Sequence, residues 1–223
     1  MIIDASKNLN RILEIDHEKG EARVEPGLVL DQLNAQLKRH GLFFPVDVST
    51  SSRATLGGMT GNNSCGARSI RYGKMVDNVL GVEALLQNGE KIQFGEVDPK
   101  SLNGKHPSTR DHLLQQLFQI GIREADEVRQ RFPEVQRRVG GYNIDELIHP
   151  DDGVLNPARL LVGSEGTLAF STSIHLKLQP IPTHKVLGVC HFPSFYEAMD
   201  STQHLVTLNP VSYTHLTLPT NSR

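Results

Sequence analysis

The chain has 223 residues, 38% of them hydrophobic and 22% charged, and its 23 Lys plus Arg against 25 Asp plus Glu leave a formal net charge of −2. This is a globular composition, which excludes global disorder, and the near-neutral balance gives no footprint for nucleic acid. The apolar runs are only a few residues long, as at positions 42–44 and 79–80, far below the roughly 20 needed to cross a bilayer, so no transmembrane segment is expected. Two cysteines, Cys65 and Cys190, make no disulfide framework, and the start Met1-Ile2-Ile3-Asp4 lacks the regions of a signal peptide, which points to a reducing, cytoplasmic setting.

Ile2-Ile3-Asp4 reads as a buried strand end without a polar lead-in, as expected of a chain truncated at its N-terminus. Residues 11–16 and 21–25 suit a hairpin that turns at Gly20 with positive φ. From Leu28 the pattern becomes helical: Val29, Leu33 and Leu37 recur on one face, Lys38, Arg39 and His40 crowd the last turn, and Gly41 stops it. Residues 79–86 read as a strand joined by a type I′ turn at Asn88-Gly89 to a second strand at 91–94. Residues 108–132 read as one helix. Ser108 and Asp111 stand at capping-box spacing, Leu113, Leu114, Leu117, Phe118 and Ile122 share a side, and Gly121 weakens the middle.

The clearest strand is 168–179, where Leu168, Phe170, Ile174, Leu176 and Leu178 alternate with Ala169, Ser171, Ser173, His175, Lys177 and Gln179. Pro180-Ile181-Pro182 then punctuates the chain. A strand at 186–191 and a helix at 195–206 look like the opening of another domain, which divides the chain at 1–180 and 181–211. Residues 212–223 have no amphipathic logic and resemble a translated library adapter, so they are read as a non-native tail. There is no internal repeat.

The most unusual segment is Ala54-Thr55-Leu56-Gly57-Gly58-Met59-Thr60-Gly61-Asn62-Asn63-Ser64-Cys65-Gly66. It offers little core and is suited to close approach, because residues without Cβ expose N–H groups that form anion nests, while Asn and Ser add donors and acceptors. Gly61 and Gly66 have P-loop spacing, but Ala67-Arg68 follow where Lys and Ser/Thr are required, and no G-x-G-x-x-G is present. A second polar turn is Gly163-Ser164-Glu165-Gly166-Thr167. Ser164 directly follows Gly163, unlike the serine of a nucleophile elbow, so a turn whose N–H and hydroxyl groups face a ligand is the better reading. Arg138-Val139-Gly140-Gly141-Tyr142-Asn143 is a third candidate, which also reads as a solvated turn after the helix. The ten histidines fall in no metal-ligand spacing, and Cys65 has no neighbouring partner that would make it a reactive thiol or a point of covalent cofactor attachment, so it reads as a plain small residue.

These ordered blocks, together with Val24-Glu25-Pro26-Gly27, Tyr72-Gly73 and Asp77-Asn78-Val79-Leu80-Gly81-Val82, resemble the FAD-linked oxidases and dehydrogenases of the vanillyl-alcohol oxidase and p-cresol methylhydroxylase type. The likeness runs over about residues 1–206 and is strongest to the D-2-hydroxyacid dehydrogenase branch, which includes glycolate oxidase flavin subunits, D-lactate dehydrogenases and D-2-hydroxyglutarate dehydrogenases. The resemblance implies an α+β FAD-binding domain, mostly its second subdomain, followed by the start of a ferredoxin-like cap. It places Pro45, Asp47 and Ser49 near the flavin. Ala54, Thr55, Gly57, Gly58, Gly61, Asn62, Asn63, Ser64 and Gly66 would run along the ring and the ribityl and pyrophosphate part. Tyr72, Gly73 and Val79 would flank the adenine side, and Gly163, Ser164, Glu165, Gly166 and Thr167 would complete the site.

The implied reaction oxidises a D-2-hydroxy acid of the lactate, glycolate or 2-hydroxyglutarate type to a 2-oxo acid. Electrons would pass to an iron–sulfur domain, a quinone or a carrier flavoprotein, in the cytoplasm or peripherally at the inner membrane. Large members carry a C-terminal iron–sulfur domain. The family's Arg-Gly-Gly-rich pyrophosphate loop would precede Met1, and its substrate-binding, metal-binding and cluster residues would follow Val211, so no catalytic base is assigned and no metal ligand is named within the chain. Two other readings remain: a reductase like that acting on UDP-N-acetylenolpyruvoylglucosamine, and a non-catalytic module that keeps the fold.

Overall fold

The hairpin opens the molecule, with β1 (Ile12–Asp16) and β2 (Glu21–Val24) turning at Gly20, whose φ is +69°. In the computed structural model, which describes residues 3–102, 107–135, 137–148, 153–208 and 210–211, the leading residues do not form the expected strand end. Ile3 is 52% exposed and Ile2 lies outside the described residues.

Helix α1 (Leu30–Leu37) buries Leu30, Leu33 and Leu37, runs into a 3-10 turn over Lys38–His40, and stops at Gly41 with φ +68°. Short β3 (Leu42–Phe43) follows, then three short helices: α2 (Leu56–Asn62), α3 (Ser69–Tyr72) and α4 (Met75–Asn78). β4 (Val79–Leu85) and β5 (Lys91–Gly95) form the expected hairpin, but not through a type I′ turn. Only Gly89 has positive φ, while Asn88 keeps negative φ and accepts the Glu90 N–H through its side chain at 2.9 Å. This is the three-residue connection in which a glycine takes the left-handed bulge position.

The single helix expected at 108–132 is two, α5 (Thr109–Arg123) and α6 (Ala125–Arg131). The break is at Glu124, at φ −91° and ψ 0°, and not at Gly121. Gly121 instead permits close packing, since a Cβ there would lie 2.6 Å from Ile148 Cδ1. The Ser108–Asp111 capping box forms as read.

After α7 (Ala158–Leu161) comes β6 (Phe170–Lys177), shorter than the expected 168–179, and then β7 (Gln179–Pro180), which pairs with β3. Leu168 is exposed and lies outside the strand. A bulge at Thr172, opposite Glu83 and Ala84, interrupts the alternation, and beyond it Ser173 on one face and Ile174 on the other are both buried. No strand forms at 186–191, where Val186 and Leu187 are almost fully exposed. A strand needs a hydrogen-bonding neighbour, and no described strand lies beside this one. The expected helix does form as α8 (Phe195–Thr207), with the Ser194 hydroxyl accepting the Glu197 N–H.

The main sheet is antiparallel with the order β1-β2-β6-β4-β5. β6 therefore inserts between two hairpins that precede it in the chain. Val24, Ile174, Val82 and Phe94 line up as cross-strand partners on the core face, each almost wholly buried, and such rows are the unit of sheet stability. The opposite face carries charge, with His175 Nε2 2.8 Å from Glu21 and Lys91 Nζ 2.7 Å from Glu83. This α+β architecture matches the expected fold class.

The start of the chain is tied to β2 by Glu25. Its carboxylate is nearly buried and accepts from the Arg11 backbone N–H at 2.8 Å and from its guanidinium at 2.9 and 3.2 Å. The guanidinium hydrogen bond holds the Glu25 carboxyl below the ordinary carboxylate range, against the opposing effect of burial. A group so lowered stabilises the fold above its unfolded value and loses that contribution as pH falls through the folded one. Glu25→Gln is therefore expected to lower stability at neutral pH and to flatten the acid limb below about pH 4, read by chemical denaturation across pH.

Candidate functional site

Within the glycine-rich segment residues 56–62 form a helix, which supplies more core than the segment's composition offered. Thr55 caps α2 by accepting the Gly58 N–H at 3.3 Å, and Leu56, Met59 and Thr60 are buried beneath it. Several expected N–H donors are engaged internally. Gly57 donates to Pro26 O at 2.7 Å, and a Cβ at Gly57 would lie 2.6 Å from Pro26 Cβ. Gly66 donates to Ser69 Oγ at 3.0 Å and packs on Asp47, whose carboxylate accepts the Arg68 N–H at 3.0 Å. Gly57, Gly66 and Asp47 thus fasten protein to protein. Gly58 is exposed and Gly61 half-buried, which leaves them for approach from outside.

The end of α2 meets the second polar turn. Thr60 O accepts the Gly163 N–H and Gly61 O accepts the Glu165 N–H, each at 2.9 Å. The last carbonyls of a helix have no partners within it, and here a distant turn supplies them. Asn62 Nδ2 adds a bond to Glu165 Oε1 at 3.1 Å. The turn is made possible by left-handed φ at Gly163, Glu165 and Gly166 (+85°, +53° and +72°).

The third segment joins them. Asn143 is fully buried and donates through Nδ2 to Val162 O at 2.7 Å, just ahead of the turn. Tyr142 OH lies 2.8 Å from Thr167 Oγ1 and, because that hydroxyl donates to Ser164 O, the tyrosine is the donor. Arg137 Nη2 donates to Gly66 O at 2.9 Å, so this stretch touches both of the others. Asn143 was not among the expected ligand residues; its only sequence signal was its place after the Gly140-Gly141-Tyr142 block. Arg138, whose Nη2 is shared between the two carboxylate oxygens of Asp145, is turned to a structural pair.

Other expected site residues lie elsewhere or point inward. Ser164 is buried and its hydroxyl donates to Leu161 O at 2.7 Å, so it offers no nucleophile. Val79 is a core residue of β4 paired with Leu176, Pro45 is buried, and Ser49 is exposed. Tyr72 and Gly73 line a cleft of about 710 Å³ with Arg71, Asp77, Lys177 and residues 179–183; none of residues 54–66 or 163–167 lines it. Asn62 and Ser64 remain with Gly61 and residues 165–167 around the junction, whereas Ala54 and Thr55 lie at the opposite end of α2, where Thr55 is the N-cap and Ala54 O accepts the Leu30 N–H.

Two observations bear on whether a flat polar cofactor suits this junction. Asn63, left-handed at φ +50° and fully buried, accepts the Val76 N–H at 3.0 Å, while its Nδ2 has no hydrogen-bond partner among the described residues. A buried donor left without a partner is costly, which favours a ligand acceptor there. In addition, a Cβ at Gly166 would meet nothing within 4 Å, and one at Gly61 would meet only Glu165 Cα at 3.7 Å. The residues present fit a flavin. Asn143→Ala should leave Val162 O unpaired, lower unfolding free energy by about 1–3 kcal/mol, and speed amide exchange at Gly163, measured by denaturation and hydrogen exchange.

Residues 1–95 match a family model described as an FAD binding domain. The D-2-hydroxyglutarate dehydrogenase of Pantoea ananatis is 39% identical over 204 residues, 90% of this chain and 20% of that protein. The enzyme of the same name from Escherichia coli is 36% identical over 95% of this chain and 21% of its own length. The glycolate oxidase subunit GlcD of Bacillus subtilis is 32% identical over 90% of this chain and 31% of its length. The chain thus spans about a fifth to a third of these relatives. A solved alkyldihydroxyacetonephosphate synthase superposes with a TM-score of 0.56 at 18% identity, covering 92% of this chain and 28% of that one, which shows a shared fold. On its matched FAD binding domain, its relatives and its fold, the chain belongs to the FAD-linked oxidases and dehydrogenases of the vanillyl-alcohol oxidase and p-cresol methylhydroxylase type, in their D-2-hydroxyacid branch.

Proposed function

We propose that this chain is the flavin-holding part of a dehydrogenase that oxidises a D-2-hydroxy acid to the 2-oxo acid. The observation that carries this reading is the junction of α2 with the 163–167 turn, where Thr60 and Gly61 carbonyls meet the Gly163 and Glu165 N–H groups. That junction sets exposed glycine backbone from two distant segments side by side, with one buried amide donor still unpaired.

In this reading Gly58, Gly61, Asn62 and residues 165–167 border the cofactor, and Asn63 Nδ2 donates to it from within. FAD held there would supply the acceptor for the Cα hydrogen of the hydroxy acid, removed as hydride (two electrons and one proton), with the hydroxyl proton passing to a base. The protein's part is to fix backbone dipoles before the reaction, so that charge developing on the ring meets partners that need not reorganise. Asn143 and Tyr142 serve this indirectly by holding the turn from behind.

Identity with the relatives named for D-2-hydroxyglutarate, at 34–39%, is higher than with those named for D-lactate, at 24–30%. This supports 2-hydroxyglutarate ahead of lactate, while the glycolate oxidase subunit at 32% lies just below the 2-hydroxyglutarate group. The exposed apolar side chains of residues 186–199 support a second unit beginning after the Pro180–Pro182 punctuation. Electrons would leave through an iron–sulfur centre, a quinone or a carrier flavoprotein.

The test is the anaerobic visible spectrum of the full-length protein. Flavin bands that bleach with D-2-hydroxyglutarate, D-lactate or the achiral glycolate, and not with L-2-hydroxyglutarate or L-lactate, are expected. Absence of flavin bands, or bleaching by reduced nicotinamide alone, would overturn the reading.

A further inference from the structure

Glutamate is an unfavourable residue for position 165. Its φ of +53° lies in the left-handed region that glycine, and among the others asparagine, occupy most easily. The same site uses glycine for that conformation at positions 163 and 166 and asparagine at position 63. Because its N–H caps Gly61 O, residue 165 also sits at the C-terminal end of α2, where the aligned peptide dipoles disfavour a negative charge. Glycine would escape both penalties.

What the side chain adds is one interaction. Glu165 Oε1 accepts from Asn62 Nδ2 at 3.1 Å, beside the bond from Glu165 N to Gly61 O at 2.9 Å. Two main-chain bonds, Gly163 N–H to Thr60 O and Glu165 N–H to Gly61 O, already seat the turn on the helix end. The side-chain bond adds a third tie, reaching the next residue of α2 from the exposed side and limiting how far that edge can tilt. Both side chains are exposed, so the fixed edge is at the surface where a ligand is met.

We propose that Glu165 is a positioning residue. Its carboxylate clamps the 163–167 turn to Asn62 at the width and tilt that the bound flavin requires, and the left-handed strain is retained for that purpose. The proposal rests on the flavin reading above.

The test uses the full-length protein with Glu165→Gln, Glu165→Ala, Glu165→Gly and Asn62→Ala, reading apoprotein melting temperature, FAD affinity by flavin fluorescence, and amide exchange over 163–167. Glu165→Gln keeps the acceptor oxygen and should bind FAD within about twofold of the parent, whereas Glu165→Ala should bind about tenfold more weakly. Glu165→Gly should lose as much affinity as Glu165→Ala while its apoprotein melts no lower than the parent, a split that a purely structural role would not give. Asn62→Ala should reproduce the loss, and combining it with Glu165→Ala should add nothing further. A glycine variant that binds FAD as tightly as the parent, or a glutamine variant as weak as alanine, would overturn the clamp. If the parent itself binds no FAD, the flavin reading fails; unchanged exchange over 163–167 in the Glu165→Ala apoprotein sinks the clamp independently of FAD.

Discussion

The carbonyls that end a helix must find donors, and in the seven-residue α2 the Asn63 and Ser64 N–H groups serve Met59 O and, at 3.2 Å, Thr60 O, which leaves the last turn in need of donors from elsewhere. In this protein the donors are the Gly163 and Glu165 N–H groups, about a hundred residues further along the chain. The arrangement of the site follows from that closure. It sets the glycine-rich helix and the polar turn edge to edge, and it defines the place where Asn143, Tyr142 and Arg137 make their contacts from the third segment.

The closure in turn depends on the main sheet. β6 lies between β2 and β4, and its core-facing Ile174 and Leu176 are completely buried against both neighbours. Because residues 163–167 lead directly into β6, seating that strand brings the turn to α2. Large apolar burial, worth about 1.5–3 kcal/mol for each such side chain, thus positions a polar junction whose own bonds are each worth only about 1 kcal/mol. The core decides where the turn lies, and the hydrogen bonds decide its angle.

Many glycines and polar side chains of the recognised blocks act between protein segments. Gly57 packs on Pro26, Gly66 on Asp47, and the Ser164 and Thr167 hydroxyls tie the turn to itself. A cofactor bound in the proposed way would meet mainly backbone held by these contacts. This division of labour suits flavin chemistry, in which fixed dipoles do more for the reaction than mobile side chains.

Local pattern was enough for the hairpin at Gly20, the helix ending at Gly41, the Ser108 capping box and the helix at 195–207, because each is set by residues a few positions apart. The ordered blocks were enough for the family. Sequence alone did not reveal that residues 56–62 are helical, because glycine-rich composition masks a helix that is stabilised by packing on Pro26 and by donors from position 163 onward. Nor did it distinguish Val79 in the core from Gly61 at the junction, or show that 186–191 would stay unpaired. Those outcomes rest on contacts between residues far apart in the chain. Sequence determined which backbone could bend or cap, and only the tertiary fold decided which of those groups would face each other and which would face outward.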